Sequence, residues 1–154
     1  MLVWRAKVLI ATLWVGSLWT VGYLVAPTLF STLSDKVLAG TVAGQLFRIE
    51  AWLSVVCASA LIAFTIFANS DHNLKQRRIL LAILSAMLVC TLIGYFGLQP
   101  LMADLREAAG PGGVMDSEVR MKFGMLHGVS AVFFLIQSLL GIALILKIRQ
   151  AAVF

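Results

Sequence analysis

Four apolar stretches, separated by charged segments, account for almost all of this 154-residue chain. They run over residues 8–29, 51–68, 79–98 and 123–146. At about 1.5 Å per residue, a helix of roughly 20 residues matches a hydrocarbon core of about 30 Å. The pattern therefore predicts an all-α fold, an integral membrane four-helix bundle in which each stretch crosses the bilayer once.

The composition agrees with lipid as the main solvent. Hydrophobic residues make up 61% of the chain, which leaves too few polar side chains to cover a soluble domain of this size. Residues 1–154 are therefore expected to form a single transmembrane domain. Lys and Arg outnumber Asp and Glu by 12 to 7, but they are spread over loops and termini, so no nucleic-acid partner is expected.

The distribution of cations predicts an orientation. If all four stretches span, both termini and the second loop share one side, which holds seven cations and one acid, Asp71. The other side holds five cations and six acids. By the positive-inside rule both termini face the cytoplasm, and the expected location is the plasma membrane, here a bacterial inner membrane. The seven cations are Arg5, Lys7, Lys75, Arg77, Arg78, Lys147 and Arg149.

Helices two to four are expected to extend beyond the bilayer on the non-cytoplasmic side. Ser34 or Ser31 can cap a helix that begins near Asp35 and continues into the second stretch, and Asp116 or Ser117 can cap the fourth helix. In the third helix, Pro100 lacks an N–H, which predicts a distortion in the turn before it, between Gly94 and Pro100.

Small residues at four-residue spacing predict close helix contacts in lipid. The glycines concerned are Gly22, Gly40, Gly44, Gly124 and Gly128. Cys57 and Cys90 fall inside the second and third stretches, without the spacing of a redox motif, and are expected to pack as small apolar side chains.

His127 is the only histidine inside a stretch, which makes it a candidate cofactor ligand. The alternative is a neutral histidine that hydrogen-bonds across helices. Two histidines of one chain do not suit b-type haem, because His72 lies in the cytoplasmic loop, roughly one bilayer thickness away. Haem bound by His127 from two copies, or with another ligand, stays open. No motif predicts a metal site.

A ring of polar side chains is expected at similar depth near the outer boundary, as a pocket for a head group, quinone or small solute or as an ordinary interfacial belt. Its members are Tyr23, Arg48, Glu50, Tyr95, Gln99 and His127. Deeper in the bundle, the indole N–H of Trp19 needs a partner, and Gln137 is a suitable acceptor.

Several motifs resemble the transmembrane protein 205-like family of unknown function. They include Leu13-Trp14-Val15-Gly16-Ser17, Ala26-Pro27-Thr28-Leu29-Phe30, Gly97-Leu98-Gln99-Pro100-Leu101 and Phe123-x-x-x-His127-Gly128-x-Ser130. The resemblance covers nearly the whole chain and implies a four-span membrane protein. More distantly, the arrangement is similar to copper-resistance D-type and protoporphyrinogen-oxidase-type bundles, whose histidines bind haem.

The leading functional prediction is a non-enzymatic packing or accessory module without a cofactor, which acts as a homo-oligomer or with a partner membrane subunit. It follows from the small-residue faces and from the absence of a catalytic motif in the sequence. A haem- or quinone-linked redox protein that uses His127 is one alternative. A carrier for a small solute or ion, acting as a dimer, is another.

Overall fold

Four long helices form the part of the molecule that the structure describes, and each is long and apolar enough to cross a membrane. The computed structural model describes residues 2–67, 74–110 and 116–150, with the side chains of the last two excepted. The helices are α1 (Leu2–Thr32), α2 (Lys36–Phe67), α3 (Leu74–Ala108) and α4 (Ser117–Gln150). No strand occurs in these ranges, so the predicted all-α four-helix fold is confirmed.

The helices are longer than the apolar stretches that predict them. Each has between 31 and 35 residues, whereas about 20 suffice for a bilayer. In α2 the additional residues precede the apolar stretch, because the helix begins at Lys36, fifteen residues before Ala51. Glu50 therefore lies near the middle of a continuous helix.

Two aspartates cap the helices α2 and α4 at their first turns. Asp35 Oδ1 accepts hydrogen bonds from the N–H groups of Val37 and Leu38, at 2.9 and 3.0 Å. The predicted caps Ser34 and Ser31 are thus replaced by Asp35 itself, because its carboxylate reaches two free N–H groups of the first turn. Asp116, as predicted, caps α4 by accepting from the N–H of Val119 at 2.8 Å.

Two helices contain a π-helical stretch just before a proline. In α1 it covers Thr20–Val25 and precedes Pro27; in α3 it covers Leu92–Gly97 and precedes Pro100. A proline removes one backbone hydrogen bond and crowds the preceding turn, which a wider turn accommodates. The distortion predicted before Pro100 takes this form, and α1 contains a second one that the sequence analysis did not predict.

The four helices contact one another in a closed ring, α1 with α2, α2 with α3, α3 with α4, and α4 with α1. At the end that contains both termini, side chains of α1 and α3 donate hydrogen bonds to backbone carbonyls of α4. The indole of Trp4 donates to the carbonyl of Ile148 at 3.3 Å, and the Gln76 amide donates to that of Lys147 at 3.3 Å. We call the half of the bundle at this end the terminal half and the other the distal half.

The hydrophobic core lies in the terminal half. Its buried cluster consists of Ala11, Trp14, Val15, Cys57, Ala58, Leu61, Leu80, Leu84, Met87, Leu144 and Ile148. In the distal half, residues 20–50 and 92–133, the described buried side chains are Ala39, Ala43, Glu50 and Met102. Cys57 and Cys90 are free and buried, as expected of small apolar side chains. The terminal half is thus the packed part of the bundle.

Candidate functional site

The carboxyl of Glu50 is buried between α1 and α2, at the boundary of the two halves. The residue is 5% exposed. Its Oε1 lies 3.3 Å from the hydroxyl oxygen of Ser17 on α1, and Ser54, one turn further along α2, places its hydroxyl beside the carboxyl. An ionisable side chain inside a membrane helix is costly to bury, and it is therefore a candidate for function.

Trp14 completes this group from α1. Its indole N–H donates to Ser54 Oγ at 2.7 Å, and its carbonyl oxygen lies 2.9 Å from Ser17 Oγ. Trp14, Ser17, Glu50 and Ser54 form what we call the Glu50 cluster. Within the described ranges, no Lys or Arg forms an ion pair with Glu50. The carboxyl therefore depends on hydroxyl groups alone for its polar contacts.

A second buried polar pair joins the other two helices. The side-chain amide of Gln137 on α4 donates to Thr91 Oγ1 on α3 at 2.9 Å. The Thr91 hydroxyl in turn donates to the carbonyl of Met87 at 3.2 Å. Both side chains are buried, so this pair links α3 to α4 as the Glu50 cluster links α1 to α2.

An aromatic layer lies next to these polar groups on the distal side. The Phe134 ring makes edge contacts with Tyr23 and Phe47, with centroids 5.6 and 5.8 Å apart. It also occupies the space that a Cβ at Gly22 would need. Phe47 and Phe134 each precede a polar residue, Glu50 or Gln137, by three positions, which is about 4.5 Å along a helix. Phe134 thereby lies on the side of Glu50 and Gln137 that faces the distal half.

The comparison with protein families identifies one match. A family model described as a domain of unknown function (DUF4149) matches residues 9–111, which is 103 of the 154 residues. The chain belongs to the DUF4149 family. The match contains all of α2 and α3 and the part of α1 from residue 9 onward, and so includes the whole Glu50 cluster, whereas Phe134 and Gln137 follow it in sequence. Searches of curated proteins and of solved structures give no significant match.

The DUF4149 chain distributes the six residues of the predicted polar ring over different environments. Glu50 is buried, Tyr95 and Gln99 are half-buried, and Tyr23, Arg48 and His127 are exposed. In the described ranges no hydrogen bond joins two of the six, and the polar neighbours of Glu50 there are the serines of its own cluster. A pocket formed by this ring stays a prediction.

His127 lies on the distal part of α4 and stacks on an aromatic ring. Its imidazole is nearly parallel to the ring of Phe123, with an interplanar angle of 6° and centroids 6.2 Å apart. The guanidinium of Arg106 lies 5.0 Å from the same Phe123 ring, a cation–π distance that ties α3 to α4. His72 is outside the described residues. The described ranges contain no group of three metal-ligating side chains, and a cofactor role for His127 stays a prediction.

The five glycines predicted to allow close packing differ in their surroundings. Phe134 covers Gly22, and the tip of the Phe30 ring is 3.9 Å from where a Cβ at Gly40 would lie. For Gly44, Gly124 and Gly128, no atom of another described helix lies within 4 Å of such a Cβ. Of these five glycines, Gly22 is thus the one at which a neighbouring described helix leaves no room for a side chain. A packing role for the last three stays a prediction.

The partners of the buried polar groups differ from those predicted from the sequence. Gln137 was expected to accept from Trp19, but it donates to Thr91, and Trp19 is 40% exposed. Trp14 is the buried tryptophan, and Ser54 is its acceptor. The available signal was polar spacing on apolar helices, since Ser17 follows Trp14 by three residues and Ser54 follows Glu50 by four, which places each pair on one face.

Proposed function

We propose that this DUF4149 chain is a non-enzymatic membrane protein that acts by associating with a second copy of itself through the distal part of α4. One observation carries the proposal. Gly124 and Gly128, one turn apart, are both exposed, and no atom of the described residues approaches either of them. The face therefore has no partner among the described residues of its own chain.

The chemistry of lipid gives such a face a use. Apolar helices gain little from leaving lipid for one another, so their association depends on close packing, which small residues permit. Met125 and Val129, beside the two glycines, are exposed and supply side chains that pack around the crossing. The sparse burial in the distal half adds support, because that half lacks the neighbours that the terminal half has.

The proposed occupant is a second copy because the face is suited to two-fold symmetry. In an isologous contact the same surface meets itself, so two glycines one turn apart on α4 meet the same two glycines of the other chain. Each backbone then approaches a backbone without intervening side chains. No cofactor is required for this role.

The orientation proposed for the molecule places the terminal half at the cytoplasmic side of a bacterial inner membrane and the distal ends of α2, α3 and α4 beyond the outer boundary. The contacts of Trp4 with Ile148 and of Gln76 with Lys147 support it, since they bring three basic segments to one end. We also infer a relation to transmembrane protein 205-like proteins, on the motifs given above.

The test is the mass of the purified protein in mild detergent, measured by light scattering. The wild type is expected to be a dimer, and the double variant Gly124→Leu/Gly128→Leu a folded monomer. Gly16→Leu is the matched control, because Gly16 is also exposed and free of described neighbours but lies on α1. A monomeric wild type, or equal loss of association in the control, would contradict the proposal.

A further inference from the structure

The Glu50 cluster poses a question of proton placement. Glu50 is the one acidic side chain that is buried in the described ranges, and it lies in the middle of a helix long enough to span a membrane. Its contacts are two hydroxyls, Ser17 and Ser54. An ionised carboxylate has about four acceptor positions and needs charge compensation when buried, which two hydroxyls supply poorly.

The number of hydrogen-bond donors around Glu50 indicates whether its carboxyl is protonated or ionised. The Ser17 hydroxyl has a single hydrogen, and its oxygen lies 2.9 Å from the carbonyl of Trp14 but 3.3 Å from Glu50 Oε1. If the hydrogen points along the shorter contact, the longer contact needs a hydrogen from Glu50.

On the other side of the carboxyl, Ser54 receives the indole N–H of Trp14 at 2.7 Å, which leaves its own hydrogen for Glu50. A neutral acid then completes a ring. Trp14 N–H donates to Ser54, Ser54 to Glu50, Glu50 to Ser17, and Ser17 to the carbonyl of Trp14. Every hydrogen in the ring has an acceptor.

We propose that the Glu50 cluster is a proton-binding site within the membrane, in which the carboxyl of Glu50 holds a proton and donates it to Ser17. Release of this proton leaves a carboxylate. The Ser17 hydroxyl then points its hydrogen to the carboxylate and no longer to the carbonyl of Trp14. The ring then opens on the α1 side. The site exchanges a proton and transfers no other group.

The charged and titratable surroundings favour a proton as the ligand. On α2, Cys57 is buried two turns further along and Arg48 is exposed, two residues away on a different face. On α1, Ser17 and Trp14 face the carboxyl, and neither ionises in the neutral range. The described parts of α3 and α4 make no ion pair with it. A sodium ion would use the same oxygens, but the Trp14 N–H already occupies one lone pair of Ser54.

Dicyclohexylcarbodiimide tests the proposal on the full-length protein in lipid. This apolar reagent adds the O–H of a protonated carboxyl across a C=N bond and rearranges to a stable N-acylurea, so the mass of the modified peptide rises by that of the reagent. Labelling of Glu50 is expected at neutral pH, with a rate that falls as the pH rises, and equal in sodium and choline chloride. Glu118, which is exposed and paired with Lys122, is the control acid and is expected to stay unlabelled.

Infrared spectroscopy supplies the second measurement. The wild type is expected to have a protonated-carboxyl C=O band that is lost in Glu50→Gln, kept in Glu118→Gln and shifted in Ser54→Ala. Glu50→Gln should fold, because its amide can donate to Ser17 and accept from Ser54 as the neutral acid does. If sodium ions protect Glu50 from labelling, the ligand of the site is a metal cation and the proposal of a proton is wrong. Absence of the infrared band at neutral pH would also overturn the proposal.

Discussion

The indole N–H of Trp14 on α1 donates a 2.7 Å hydrogen bond to the hydroxyl of Ser54 on α2. Both side chains are withdrawn from the surface, at 0% and 1% exposure. In a medium without water, a buried N–H has few alternative partners, so the bond fixes how α1 sits against α2. The carboxyl of Glu50 lies between the same two helices.

Replacing Ser54 by alanine is expected to destabilise the fold by about 1–2 kcal/mol, because the Trp14 N–H is left buried without its acceptor. Denaturation in mixed micelles measures the change. Ser59→Ala is the control, since Ser59 is exposed on the same helix. The double variant Trp14→Phe/Ser54→Ala should lose less than the sum of the single losses. Equal stability of the Ser54 and Ser59 variants would contradict the assignment.

Gly22→Ala is expected to cost about 1–3 kcal/mol, because its Cβ would overlap the Phe134 ring. Gly16→Ala should be neutral or stabilising, since nothing described lies near that position and alanine favours the helix. A smaller side chain at residue 134, as in Phe134→Leu, should restore part of the stability of Gly22→Ala. If Gly22→Ala unfolds at the same denaturant fraction as Gly16→Ala, the aromatic layer is not packed as described.

The pair formed by Gln137 and Thr91 predicts unequal effects of its two truncations. Thr91→Val leaves the buried Gln137 amide without its acceptor and should cost about 1–2 kcal/mol. Gln137→Leu should cost less than about 1 kcal/mol, because the Thr91 hydroxyl still donates to Met87. Thr41→Val is the control for the loss of a threonine in an exposed helical position. The reverse order of the two losses would argue against this hydrogen bond.

The absorbance spectrum of protein purified from haem-sufficient cells is expected to lack a Soret band. The physical reason is the position of His127, which is exposed and stacked on Phe123 without a second described histidine beside it. A Soret band that disappears in His127→Ala would contradict this expectation. It would restore the redox alternative, in which a second copy or another residue supplies the second ligand of the haem iron.

Hydropathy predicted the number and order of the helices, because four stretches of about 20 apolar residues have few other stable arrangements in lipid. Pro100 similarly indicated where α3 departs from regular geometry. The start of α2 near Asp35 was also predicted, but the buried position of Glu50 was not, since Arg48 and Glu50 precede the apolar stretch and suggest an interface. Helix continuity depends on backbone hydrogen bonds, which a single charged residue does not interrupt.

The candidate site was predicted only in part for a related reason. Glu50 was singled out, but its partners depend on which faces of α1 and α2 meet, and hydropathy does not specify rotation about a helix axis when nearly every face is apolar. The choice between Trp14 and Trp19 as the buried indole rests on the same rotation. The glycine spacing was informative about close packing, yet it did not distinguish Gly22, which meets Phe134, from Gly128, which meets nothing described.

Association in a bilayer tests the proposed function most directly. Energy transfer between donor- and acceptor-labelled copies is measured in liposomes as the protein-to-lipid ratio is lowered. The wild type and Gly16→Leu should show transfer that falls along the same dilution curve, and Gly124→Leu/Gly128→Leu should show only the transfer expected of random proximity. If the wild type already follows the random-proximity curve, or if the α4 variant follows the wild type, the chain does not associate through the distal part of α4.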